Sequence, residues 1–386
     1  MDNELLLSTE DVSNKKFRNK MKTFLVTTII FFIISIIFIS LYIYEKTNDD
    51  DKDNKNNKDK KSEDILTLWK ENESKLKLIN YIKTITKEGS NDFIKKEDRI
   101  AVFDFDGTLF QEKDPIYTDY KLFKYRILDD PEYSKIATEE QKILANKVKE
   151  IMKTLNYSNE IDKKVAKQSE KIFQNMTIDD FYLYVKNFAK QKSEGYNNLI
   201  LGDGFYKPML QVIEYLQKND FIVYIVSGSD RFLVRALVDG HINIQNEYII
   251  GTEVSIIATN QGDIDGLDYT FSKDDDLIFN GTLIKKNLNM NKVYNIIKEI
   301  GKKPILSFGN SGGDGSMANY VLSNEKYKTM AFMLLCDDLD REYGNEEKAN
   351  KMKESCKDNN WIPVSMKNDW ITIYGKDVTK KNNSNY

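Results

Sequence analysis

The chain has 386 residues, of which 40% are hydrophobic and 31% charged, and its formal net charge is −4. That length can bury one sizeable core with an accessory domain, and an acidic balance without a basic, aromatic-rich stripe argues against a nucleic-acid surface. With a single histidine, His241, a histidine-ligated zinc or a Ser-His-Asp triad would rest on one residue, so carboxylates must carry most of the chemistry.

Residues 1–23 are mostly polar and end in a basic cluster, Lys15, Lys16, Arg18, Lys20 and Lys22. Residues 24–44 (FLVTTIIFFIISIIFISLYIY) then run 21 positions without a charge, close to the ~20 that an α-helix needs to cross a bilayer. The stretch is longer than the apolar part of a signal peptide and no small-x-small cleavage site follows it, so it reads as one transmembrane helix. The basic flank precedes it, while Asp49, Asp50 and Asp51 follow. The positive-inside rule therefore predicts a single-pass protein of the cell membrane, with a cytoplasmic amino end and an extracytoplasmic folded domain. Residues 45–64 are almost wholly Asp, Asn, Lys and Ser, the composition of a flexible, solvated tether.

The folded domain is expected from residue 65, opening with an amphipathic helix over 65–86 on which Ile65, Leu68, Trp69, Leu76, Ile79 and Ile82 share a side. Ile100 to Phe103 then reads as a buried parallel strand that runs into Asp104-Phe105-Asp106-Gly107-Thr108. Alternation along an extended chain turns Asp104 and Asp106 to one side, and two carboxylates so close require a cation, a phosphate or a shared proton. Taken alone, the same residues also read as an acidic turn with Gly107 at positive φ.

Residues 111–202 show helical periodicity and few strands, with a capping-box start at Thr138, and form a helical insertion between the first strand and the rest of its sheet. The α/β alternation resumes with a helix over 208–217 and a strand over 221–226 ending in Ser227-Gly228-Ser229-Asp230, followed by a helix over 231–238. A hydroxyl and a glycine before a helix amino terminus suit an anion, although a plain Ser-capped turn has the same appearance. Residues 243–282 read as strands with a hairpin, and Asp263, Asp265, Asp268 and Asp274 to Asp276 as solvated turns without EF-hand spacing. A helix opens with Lys292, a strand over 304–308 delivers Gly309-Asn310-Ser311-Gly312-Gly313-Asp314, and a further strand is expected over 331–335. Residues 342–356 read as a polar helix and 376–386 as a disordered tail. Cys336 and Cys356 lack metal-pair spacing; they form either a disulfide or two core positions.

Right-handed crossovers in a parallel sheet bring all these strand tips to one edge. In order and context they resemble the haloacid dehalogenase superfamily of aspartate-nucleophile phosphohydrolases, in its phosphoserine-phosphatase-like branch with a helical cap. Asp104 to Thr108 match the first motif, Ser227-Gly228 the second, Lys292 or Lys286 the third, and Gly309 to Asp314 the fourth. The likeness covers 104–317 and extends over 69–374. It implies a Rossmann-like parallel sheet core (65–110 and 203–375) with an inserted helical cap (111–202), preceded here by the transmembrane helix.

The resemblance implies further that Asp104 attacks phosphorus to give an aspartyl-phosphate, and that Asp106 protonates the leaving oxygen and then activates water. Ser227, Gly228 and Lys292 would bind phosphoryl oxygens, and magnesium would sit among Asp104, Asp106, Asn310 and Asp314. Asn310 departs from the family's usual Asp, replacing a carboxylate with a neutral amide oxygen. Arg231, with Glu112 and Arg126, falls near the expected mouth, either touching substrate or serving as solvated surface. The resulting expectation is a membrane-anchored, magnesium-dependent phosphomonoesterase acting on a small phosphorylated metabolite. Its alternatives are a phosphotransferase or phosphomutase on the same fold, and a non-catalytic surface binding module.

Overall fold

A computed structural model describes residues 66–155 and 159–381 of the chain. The expected span over 24–44 and the segments on either side of it lie outside the described residues. Among the described residues no helix is long and apolar enough to cross a membrane.

The first helix, α1 (Glu73–Thr86), starts at Glu73 rather than at residue 65, because Asn72 caps it by accepting the Lys75 N–H at 2.8 Å. Trp69, which fits the helical stripe, instead bridges to Trp370, and its indole N–H donates to the Pro208 carbonyl at 2.9 Å.

In chain order the strands of the described residues are β1 (Ile100–Phe103), β2 (Tyr196–Asn197), β3 (Ile222–Asp230), β4 (Ile249–Ala258), β5 (Leu277–Lys285), β6 (Leu306–Gly309), β7 (Met330–Leu335), β8 (Ile362–Ser365) and β9 (Thr379–Lys380). Seven of them form one sheet in the order β5-β4-β3-β1-β6-β7-β8, parallel except for the antiparallel β4–β5 pair. β1 is central and buried along its whole length. Phe103, Phe308 and Phe332 are neighbours in register across β1, β6 and β7, and their rings stack with centroids 4.5 and 4.9 Å apart. That stack follows from the inter-strand spacing and fixes which residues emerge at the carboxyl edge.

The insertion is helical, as its periodicity predicts: α2 (Thr118–Lys124), α3 (Tyr133–Ile136), α4 (Glu139–Thr154), α5 (Asn159–Ser169) and α6 (Ile178–Phe188). The capping box on Thr138 is formed, Gln141 completing it. The cap docks on the hairpin: Asn175 N–H donates to the Phe279 carbonyl at 2.9 Å and Phe279 N–H to Met176 at 3.1 Å. Core helices are α7 (Lys207–Lys218), α8 (Arg231–Val238), α9 (Met290–Ile300), α10 (Gly315–Leu322), α11 (Glu346–Asn359) and α12 (Met366–Asp369).

One sequence expectation changes, and one alternative left open is decided. The carboxyl-terminal stretch expected to be disordered is structured as far as residue 381, because β9 pairs antiparallel with β2 and Lys381 N–H donates to the Gly195 carbonyl. Cys336 is half-buried and Cys356 buried, and both are free thiols.

Candidate active site

Register sets the site. Phe103 lies level with Ile225 of β3 and Phe308 of β6, so the residues that follow each of them emerge side by side. Asp104 leaves β1 with its N–H still donating to the Phe308 carbonyl at 2.9 Å. The residue is buried to 7% exposure, and its Oδ1 accepts from Lys292 Nζ at 2.5 Å. The same ammonium, fully buried, donates to Asp314 Oδ1 at 2.6 Å. Two strand tips, those of β1 and β6, and the first turn of α9 thus converge on one buried charge cluster.

Lys292 is placed by the turn before α9. Asn289 adopts φ 52° and its N–H donates to the Gly313 carbonyl, which ties the helix start to the glycine-rich loop. Burial opposes the charge on Lys292, but Asp104 and Asp314 hold its pKa above the ordinary lysine value. Burial first, and then the Asp314 carboxylate, push Asp104 upward, with Lys292 opposing both. Lys286, the other third-motif candidate, follows β5 and lines a cavity beside the site, making no ion pair with a described residue.

Asp314 is brought to Lys292 rather than left open to a metal. Its second oxygen accepts from the Asn310 N–H at 3.1 Å, the Ser311 N–H at 2.9 Å and the Ser311 hydroxyl at 3.0 Å. It therefore shapes the loop and orients the lysine.

Asp106 lies partly exposed beyond Asp104, and its Oδ2 accepts from the Ser229 hydroxyl at 2.6 Å. Burial raises its pKa to about 7 against that hydrogen bond, a value suited to giving and taking a proton near neutrality. Between the two aspartates the chain turns at Gly107, φ 75°, where an added Cβ would lie 1.9 Å from the Asn310 Nδ2. Glycine is required there both for the backbone angle and for the close approach of the Asn310 amide.

Ser227 is fully buried, and its Oγ accepts from the Ser229 N–H at 3.0 Å. Polar groups that the motifs do not contain fix its loop. Asn287 Nδ2 donates to the Ser227 carbonyl at 2.9 Å, Thr252 Oγ1 to the Gly228 carbonyl at 2.6 Å, and Asn295 Nδ2 to Asn287 Oδ1 at 3.1 Å. An added Cβ on Gly228 would meet Leu288 Cδ2 at 2.6 Å, so glycine lets the two loops touch. The available signal was Asn295, three residues beyond Lys292 and therefore on the same face of α9.

Arg231 is a correction. Its guanidinium pairs with Glu299 at 2.5 Å, roughly two helical turns along α9 from Lys292, and is not directed at the carboxylates. Arg126 likewise pairs with Asp130 at 2.8 Å and lies over the Tyr133 and Tyr184 rings inside the cap. The Glu112 N–H donates to the Tyr206 hydroxyl at 3.3 Å.

Among the described residues no group of three or more His, Cys, Asp or Glu side chains is arranged to hold a metal. The donors left at this rim are the Asp104 carboxylate, the Asp106 main-chain carbonyl and the Asn310 side-chain oxygen, which has one distant partner, the Thr108 hydroxyl at 3.5 Å. These are hard oxygens, and few enough that water and a substrate oxygen would complete the shell, as magnesium prefers. The charge balance points the same way: Lys292 offsets only one of the two carboxylates it touches, so an incoming dianion calls for added positive charge. The residues present therefore fit a magnesium ion.

A central parallel sheet whose carboxyl edge gathers a buried lysine, two aspartates and a hydroxyl-bearing loop defines a hydrolase-type anion site. Residues 101–269 match the family model for haloacid dehalogenase-like hydrolases. The match includes Asp104, Asp106, Ser227 and Gly228; Lys292 and Asp314 lie beyond it and join through the fold. No curated protein matches the chain. Among solved structures, a conserved protein of unknown function from Anaerococcus prevotii DSM 20548 is similar at 14% identity and TM-score 0.46, covering 76% of this chain and 91% of that one. Cytosolic 5'-nucleotidase IIIB bound to cytidine is similar at 14% identity and TM-score 0.43, covering 79% and 91%. A phosphoserine phosphohydrolase-like protein from Francisella tularensis subsp. tularensis SCHU S4 is similar at 14% identity and TM-score 0.34, covering 66% and 92%. At these scores the assignment rests on the family match and not on the likenesses.

Proposed function

We propose that the chain is a membrane-anchored, magnesium-dependent phosphomonoesterase that hydrolyses a small phosphorylated metabolite through an aspartyl-phosphate on Asp104. Carrying that reading is the buried Lys292 ammonium held between Asp104 and Asp314, with Asp106 fixed alongside by Ser229. In the first step a carboxylate oxygen of Asp104 bonds to phosphorus, and the bond from phosphorus to the alcohol oxygen breaks. Asp106 gives its proton to that leaving oxygen. In the second step Asp106 takes a proton from a water that attacks the same phosphorus, which releases inorganic phosphate and restores Asp104. Lys292, the Ser227 hydroxyl and the Gly228 N–H bind the phosphoryl oxygens as charge moves onto them. Asp104, the Asp106 main-chain carbonyl and Asn310 would hold magnesium, which would offset the repulsion of the carboxylates for the phosphate ester.

The uncharged stretch over 24–44 and its basic amino flank support a single-pass placement in the cell membrane with the catalytic domain outside. The test is hydrolysis of p-nitrophenyl phosphate by the full-length chain in detergent. Activity is expected with magnesium, lost in chelator and restored by added magnesium. Absence of turnover with magnesium, or turnover indifferent to chelator, would contradict the reading.

A further inference from the structure

Between the cap and the core lies a cavity of about 70 Å³. A buried water occupies about 10–15 Å³ on this measure, so the space suits a handful of heavy atoms. It adjoins the acid/base group. Asp230, in its lining, directly follows the Ser229 that binds Asp106, and Thr252, also in the lining, donates to the Gly228 carbonyl. Asp119 and Lys286, both in the lining, are near enough to act on the charge of Asp106. A phosphate ester seated on Asp104 would project its alcohol half here.

The lining is apolar and acidic together. Phe123, Phe173 and Phe279 supply aromatic wall, and Asp119, Glu170 and Asp230 supply three carboxylates against the one ammonium of Lys286. Two of the carboxylates are already engaged: Asp230 caps α8 through the N–H groups of Phe232 and Leu233, and Asp119 accepts from the Tyr120 N–H. Glu170 is different. It precedes the 3₁₀ turn Lys171–Phe173 without capping it and makes no hydrogen bond or ion pair with a described residue. Burial, with the Asp230 charge behind it, pushes its pKa up to about 8, the behaviour of a carboxylate lacking a counter-charge.

We infer that this cavity is the leaving-group site and that it selects phosphate monoesters of small alcohols carrying an ammonium group, with Glu170 reading that charge. The inference rests on the phosphomonoesterase reading above. A cation there meets an unpaired carboxylate and aromatic rings in a low-dielectric space, where both attractions are strengthened. A second anionic group on the alcohol would face three carboxylates, and a neutral polyol would find rings where it needs hydrogen-bond partners. Lys286, which also acts on Asp106, serves the phosphoryl end.

The experiment compares kcat/KM of the full-length chain for phosphocholine and phosphoethanolamine with that for 3,3-dimethylbutyl phosphate, the neutral isostere of phosphocholine. An O-phosphoserine arm is included. The expected preference for the cationic esters over the isostere is about tenfold or more, equivalent to a contact worth roughly 1.4 kcal/mol. In E170Q that ratio collapses through KM, and in E170D part of it survives; thermal melting of each variant checks that it is folded. Equal use of phosphocholine and its isostere, or a ratio unchanged in E170Q, would overturn the inference while leaving the phosphomonoesterase intact. Preference for O-phosphoserine over both cationic esters would also overturn it, by assigning Lys286 to a substrate carboxylate. Failure to hydrolyse any ester, p-nitrophenyl phosphate included, would bring down the parent reading and this one with it.

Discussion

Lys292 is the residue on which the site's electrostatics turn. A buried ammonium touching two buried carboxylates is tolerable because each partner satisfies the other, and removing one partner leaves charges uncompensated. We expect K292M to lower stability by about 3–5 kcal/mol in chemical denaturation, and the further change D314N to recover part of the loss. Turnover stays lost in both. A K292M protein as stable as the parent would show that the three groups do not form the coupled cluster described. Asp104 and Asp106 stand out in sequence because they follow an apolar run, whereas Lys292 opens a helix and was one of two lysines left open. Asn287 and Thr252 were not legible there. A polar loop residue carries no mark of its partner, and Asn287 reaches Ser227 across 60 positions. Arg231 was misplaced for a related reason: its backbone is at a strand tip, but its side chain follows Glu299, on a helix that sequence spacing does not relate to it.

At the scale of elements, the cap is held together by Asp130, at the end of the π-helical turn Tyr125–Asp129. Burial alone would raise its pKa. The N–H groups of Tyr133 and Glu132, the Tyr184 hydroxyl and Arg126 together hold it at about 2. An unfolded aspartate titrates near 4, roughly, so the folded pKa is depressed. The stability this group gives is complete above that unfolded value and is lost as pH falls through the folded one. Hydrogen exchange within 111–202 is therefore expected to accelerate below about pH 4 ahead of exchange in β1. D130N should open the cap at neutral pH and remove that acid dependence; equal protection of cap and β1 in acid would contradict this. α8 was read from sequence with its observed bounds from its apolar run, but its cap is Asp230 and not the serine that the sequence suggested. The start of α1 was misread, since Trp69 satisfies helical spacing and yet pairs with Trp370. The β2–β9 ladder, which pairs Tyr196 with Lys380 and Asn197 with Thr379 across most of the folded domain, left no local signal.

At the scale of the molecule, function follows from β1 lying between β3 and β6, so that Asp104, Ser227 and Asn310 leave adjacent strands at one edge. The parallel alternation was visible from the buried runs and their helices. The docking of the cap on the β4–β5 hairpin was not, because Phe279 makes that contact from a strand whose pattern resembles any edge strand's. The proposed membrane span over 24–44 carries its own prediction. Full-length protein in membranes should resist extraction by alkaline carbonate, and a chain lacking residues 1–44 should be released; release of the full-length chain would contradict the anchor. The central claim is the covalent step at Asp104. Turnover quenched in acid and reduced with borohydride should convert Asp104, through its acyl phosphate, to homoserine, detected by peptide mass mapping and absent without substrate. Conversion at another carboxylate, or an unmodified Asp104 peptide under conditions of rapid turnover, would contradict the account.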